Sequence, residues 1–273
     1  MSSKTLTEAE PAAGAIDTLL RSGRWIFAFA IAALGAENIL CAGGTLGADP
    51  HNMPVLPFIP PILWMVYLFG VVWVACGVGL LTERWLRISA YTLGATYIFW
   101  MLVHVLPQYI ADPGSMGLRT IVFEPLSLAC IALLLPGPAA TPKWLDIACR
   151  VVVAVAMIVF GVDHFIGIKF IGSLLPGWIP WHEPWVAFFG VVFIAGGVAI
   201  AVGGALARWG WIAIGTMFAV WVLTLHGPRV LGLYGIPGAP QSPDEWSSLL
   251  IAVGLWGGPW AMAANREQRL RTR

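Results

Sequence analysis

The sequence predicts an all-α polytopic membrane protein of about eight transmembrane helices, arranged as two parallel four-helix repeats. Three observations carry this. Of the 273 residues, 59% are hydrophobic and only 11% charged, with a mean hydropathy of +0.81, whereas a soluble domain carries roughly 25% charged residues. Apolar runs of the length a span requires, about 20 residues, recur along the chain and are parted by short polar or Pro/Gly-rich connections. Particular glycines, acids, tryptophans and prolines return in the second half at nearly constant spacing.

Eight runs fit a span: 24–44, 61–82, 87–106, 119–136, 149–170, 184–204, 209–226 and 246–264. Hydrocarbon offers backbone groups no partner, and none of these runs alternates polar and apolar residues as a barrel strand does, so each is predicted helical. The tail at 1–23 is polar, carries Glu8 and Glu10, and has no continuous apolar core. It is therefore not a signal peptide, and the first span serves as an uncleaved start signal. Spans 1 to 4 make a unit at 24–136. The run Pro136-Gly137-Pro138-Ala139-Ala140-Thr141-Pro142 cannot continue a helix, so a cytoplasmic linker is placed at 137–148. A second unit follows at 149–264 and a basic tail at 265–273.

The net charge is only +1, but the basic residues are unevenly placed. Lys4, Arg21, Arg24, Arg84, Arg87, Lys143, Arg150, Arg208, Arg266, Arg269, Arg271 and Arg273 fall on one side, and Arg119, Lys169 and Arg229 on the other: 12 + 3 = 15, all of them. The positive-inside rule then puts both termini in the cytoplasm and the connections after spans 1, 3, 5 and 7 outside. The basic tail reads as part of this orientation signal rather than as a nucleic-acid arm. The four cysteines, Cys41, Cys76, Cys130 and Cys149, include no C-x-x-C pair. Buried structural thiols are expected, not a thioredoxin-like pair or a zinc site.

The repeat is read from matched residues. Leu34-Gly35-Ala36-Glu37-Asn38-Ile39 answers to Phe160-Gly161-Val162-Asp163-His164-Phe165 at an offset of 126. Gly70 and Gly77 answer to Gly190 and Gly197 at 120; Gly94, Trp100 and Pro107 answer to Gly215, Trp221 and Pro228 at 121; and Glu124 is matched with Glu245, also at 121. Units with an even number of spans enter the membrane in the same sense, so the repeats are parallel, related by an axis along the membrane normal.

The second half, over nearly all of 149–264, resembles the DoxX-like family of small bacterial membrane proteins. The resemblance rests on Phe160 to Phe165, the loop Leu175-Pro176-Gly177-Trp178-Ile179-Pro180, the helix from Gly190 to Gly197, Leu225-His226-Gly227-Pro228-Arg229, and Asp244-Glu245-Trp246. The first half follows the plan more loosely, with Glu37-Asn38, the loop Pro57-Phe58-Ile59-Pro60, His104 near Pro107, and Glu124. Family members are typically single four-helix units, so a fused pair departs from the pattern. The family name is associated with quinol oxidase and thiosulfate:quinone oxidoreductase subunits. What the resemblance implies is a bacterial inner-membrane protein with quinone as ligand and a redox protein as partner. The competing class is a non-enzymatic transporter, membrane chaperone or assembly scaffold.

Ionisable groups within spans are costly, roughly 2.5–3.5 kcal/mol each at a helix centre on insertion scales, and here they gather toward one face of the membrane. Asp163 and His164 adjoin on span 5, His226 and Arg229 share a face of span 7, and Glu245 begins span 8. Asp163, His164, His226 and Glu245 are the candidate catalytic, proton-handling group, since imidazole titrates near neutral pH and guanidinium stays cationic. Arg229, Trp178 and Trp181 are candidate ligand contacts, the indoles acting as an aromatic wall or lid or simply as an interfacial belt. Glu37, His104 and Glu124 form a first cluster, either a structural counterpart or contributors to a pocket shared between the halves. The same polar groups could instead hydrogen-bond helices to one another. His104 and His226 lack ligand partners one helical turn away, so no metal or haem site is expected. No flavin or nucleotide motif occurs, so electrons would come from a partner or a reduced substrate.

Overall fold

A computed structural model of the chain describes residues 16–41, 63–233 and 243–271. Its regular structure there is helical throughout. The helices are α1 (Gly23–Cys41), α2 (Leu63–Leu80), α3 (Leu86–Trp100), α4 (Leu106–Ala111), α5 (Met116–Leu134), α6 (Lys143–Ile166), α7 (Ile168–Ser173), α8 (His182–Val202), α9 (Gly204–Trp221), α10 (Gly227–Val230) and α11 (Pro243–Arg271). Single π-helical turns, Met101–Val105 and Val222–His226, join α3 to α4 and α9 to α10. Among the described residues, seven continuous helices are long and apolar enough to cross a bilayer, and an eighth apolar helix, Trp64–Leu80, is shorter. The chain is an all-α polytopic membrane protein.

Local sequence explains the boundaries. Ser115 caps α5, its hydroxyl accepting the Leu118 N–H at 3.2 Å, which satisfies a donor the first turn leaves open. α6 starts at Lys143, directly after Pro142, with Asp146 in its first turn and Arg150 one turn on, paired at 3.0 Å. An acid suits the positive end of the helix, so 143–148, expected in the linker, is helical, and only the turn around Gly137 remains irregular. The two π turns precede Pro107 and Pro228. Proline lacks the N–H and crowds the carbonyl one turn back; the widened turn accommodates this, with Leu106 and Gly227 donating instead to Met101 and Val222, five residues back.

Each long helix packs on its neighbours in the chain, α11 returns to α1, and α5 meets α11 across the middle. Close approaches recur at matching positions. A Cβ on Gly35 would lie 2.6 Å from the Gly70 carbonyl oxygen, and one on Gly161 would lie 2.7 Å from that of Gly190. Gly94 meets Leu133 as Gly215 meets Trp260, at 2.5 and 2.4 Å from the same virtual atom. The direct contact of Gly258 with Ile131 sets α11 beside α5 at a spacing of 258 − 131 = 127, and the residues met by Gly94 and Gly215 are spaced alike, 260 − 133 = 127. At that spacing Glu124 lies level with Ile251 and Glu245 with Leu118, so the match of Glu124 with Glu245 at 121 is not the one the packing follows. The stretch from His226 to Pro243 is six residues longer than that from Val105 to Met116, since 17 − 11 = 6, and a count along the sequence cannot see where those residues enter. The loop Pro57 to Pro60, residues 1–15 and the side chains of the basic tail lie outside the described residues.

Candidate functional site

α5 and α6 are held together by Arg119, whose Nε donates to both carboxylate oxygens of Asp163 at 3.1 and 3.2 Å, while its Nη2 also donates to Oδ1. This forked pairing fixes Asp163, which is 4% exposed, and with it the end of α6. On the next position His164 sits in an aromatic surround, with ring centroids 5.1 Å from Phe193 and 5.8 Å from Trp221. Its Nδ1 lies 2.7 Å from the Phe160 carbonyl oxygen. A carbonyl only accepts, so Nδ1 carries the proton in that bond and Nε2 is left buried without a partner.

Beside this pair lies a cavity of about 340 Å³. Its polar lining is Thr120 and Glu124 from α5, Asp163 and His164 from α6, His226 from the second π turn and Ser248 from α11, and its apolar lining includes Phe160, Phe193, Phe218 and Trp221. Short α7 contributes Phe170 and Ile171. His226 Nδ1 is also buried with no partner among the described residues. The carboxyl group of Glu124 faces the cavity without a hydrogen-bond partner among them. The π turn is what turns His226 into this space, and such turns recur at functional sites.

Three of the four candidate catalytic residues, Asp163, His164 and His226, thus line one cavity. Glu245 does not line it. Its carboxylate is held by Arg229, through Nε at 2.8 Å and through Nη2, so both residues of the pair serve α10–α11 packing, within electrostatic reach of His226. Trp178 and Trp181 are not part of this cavity's lining; they line a separate apolar cavity of about 530 Å³ with Pro180, Trp185 and Phe188. Proline-bounded backbone with Trp181 in the left-handed region at φ 55 carries that loop elsewhere. Of the first cluster, Glu124 joins the second-half residues. Glu37 instead accepts from the Ser247 hydroxyl at 2.8 Å, and His104 is fully buried with its ring 4.4 Å from that of Trp100. Arg119 was not among the candidates. An arginine facing an acid inside an apolar span was the available signal.

A further, far smaller cavity of about 30 Å³ lies among the first-half helices and α11. Its lining answers position by position: Asn38 for His164, Trp73 for Phe193, Tyr97 for Phe218, Trp100 for Trp221, Val105 for His226, Ser247 for Thr120 and Ile251 for Glu124. Trp73 and Tyr97 stack at 4.5 Å and fill it, leaving room for about one water. In the large cavity Phe193 and Phe218 meet edge-on at 5.4 Å and leave space. The open cavity is therefore the one with the titratable groups. No protein-family model matches the chain, and neither curated proteins nor solved structures give a significant match.

Proposed function

We propose that the cavity lined by Glu124, His164 and His226 binds a lipid-soluble ring compound of the quinone class and exchanges protons with it, making the chain a membrane redox component of DoxX-like type. The observation that carries this reading is the contrast between the two like-placed cavities: one is filled by indole and phenol, the other is open and has gained Glu124, His164 and His226. Burying three ionisable groups in an apolar wall is costly unless they meet a ligand or a proton. The aromatic lining suits a flat ring, and about 340 Å³ is within the range of small-molecule pockets. A quinol oxidised there would release its hydroxyl protons to imidazole and carboxylate, while its electrons pass to a redox partner protein. Mass spectrometry of lipid extracts from gently purified protein tests the reading. Quinone retained in near-stoichiometric amount supports it, and none above the level of empty micelles overturns it.

The same reading places the chain in a bacterial inner membrane with both termini cytoplasmic. The basic asymmetry supports this, as does the grouping of Arg24 with Glu83 and Arg208 with Asp17. We also infer that the chain is a duplicated four-helix unit. Recurrent glycine contacts, paired π turns and matched cavity linings, at offsets of 126, 120, 121 and 127 through the successive spans, support this reading.

A further inference from the structure

We infer that the cavity selects the reduced, hydroxyl-bearing form of its ligand over the oxidised, carbonyl-bearing form; this rests on the quinone-class reading above. The inference follows from which hydrogen-bonding roles are still open. His164 spends its proton on the Phe160 carbonyl at 2.7 Å, so its neutral ring offers the cavity only a bare Nε2, which is buried and unpartnered. Thr120 donates its hydroxyl proton to the Met116 carbonyl at 3.1 Å and is left as an acceptor. Glu124 in its protonated form, His226 and Ser248, which also line the cavity, can each either donate or accept. The strongest donor nearby, Arg119, is turned to Asp163 by three contacts.

The roles fixed by the fold, at His164 Nε2 and the Thr120 hydroxyl oxygen, are therefore acceptors, and a ligand that brings hydroxyl donors satisfies them. A dicarbonyl ring of the same shape brings only acceptors, and would leave His164 Nε2 unpaired against a lone pair. Leaving such a group unsatisfied costs on the order of tenfold or more in affinity per group. Shape cannot make the distinction, because the two redox forms share a ring and its substituents.

The test is anaerobic titration of the full-length protein in nanodiscs with a short-chain ubiquinol analogue and, separately, its oxidised quinone, read by quenching of tryptophan fluorescence. The quinol is expected to bind at least about tenfold tighter. His164→Leu, which removes the bare Nε2 while keeping most of the volume, is expected to bring the two affinities together by weakening the quinol. Equal affinities, or a tighter quinone, overturn the selectivity while leaving the ligand class standing. Binding of neither form removes the ligand class and the selectivity together.

Discussion

The Arg119–Asp163 pair sets up a double-mutant cycle whose size separates an ordinary helix-to-helix polar contact from a buried ion pair. Polar contacts between membrane helices average only about 0.6 kcal/mol in such cycles. Breaking a buried pair by removing one partner costs about 3–5 kcal/mol, because the remaining charge stays buried. Here the Asp163 side chain is 5% exposed and that of Arg119 21%, so one partner keeps some access to the bilayer surface and water. Asp163→Asn is therefore expected to destabilise at the lower end, by about 3 kcal/mol. Arg119→Gln should cost less, about 2 kcal/mol, since the carboxylate it abandons can be protonated. The double variant should lose clearly less than the sum, with a coupling of at least about 1.5 kcal/mol. Arg119→Lys should recover little, because a single ammonium cannot supply the fork. Equilibrium unfolding in mixed micelles gives all four values. Additive losses, with coupling below about 0.5 kcal/mol, would refute the claim that this pair positions α6 and His164.

Four further outcomes are expected. Gly35→Ala, which puts a methyl 2.6 Å from a backbone oxygen of α2, should lower stability by about 1–3 kcal/mol, whereas Gly137→Ala, with nothing within 4 Å but φ at +80, should cost less, through backbone strain alone; unfolding measurements rank the two. His226→Gln should preserve the fold and abolish ligand-linked proton uptake, since an amide cannot titrate. Glu245→Gln should weaken stability through Arg229 yet keep ligand affinity within about threefold, under 1 kcal/mol. Reporter fusions should show a cytoplasmic C-terminus and an external Asp112; the reverse assignment would remove the orientation.

Much of the architecture was legible because a bilayer penalises charge and exposed backbone so strongly that span positions are nearly forced. Asp163-His164 and His226 stood out for the same reason. Other features depend on registers that linear counting does not fix. The connection before α11 is six residues longer than the one before α5, so Glu245 does not lie level with Glu124, and the contact of Gly258 with Ile131 is what reveals it. Partnership was also hidden: Arg229 and Glu245 were both visible as ionisable residues, but nothing in their spacing says that they neutralise each other rather than a ligand. The indoles of Trp178 and Trp181 were expected over the cluster because they neighbour it along the chain; the loop instead folds them over an apolar hollow of their own.

Photoaffinity labelling with an azido-quinone, followed by peptide mass spectrometry, tests the central claim most directly. The label is expected on α5 around Thr120 and Glu124, on the end of α6, and on the segment from Phe218 to His226, and it should be displaced by excess unlabelled quinol. Labelling confined to the Trp178–Trp185 loop, or spread over the lipid-facing side chains and indifferent to competitor, would contradict the assignment of this cavity as the ligand site.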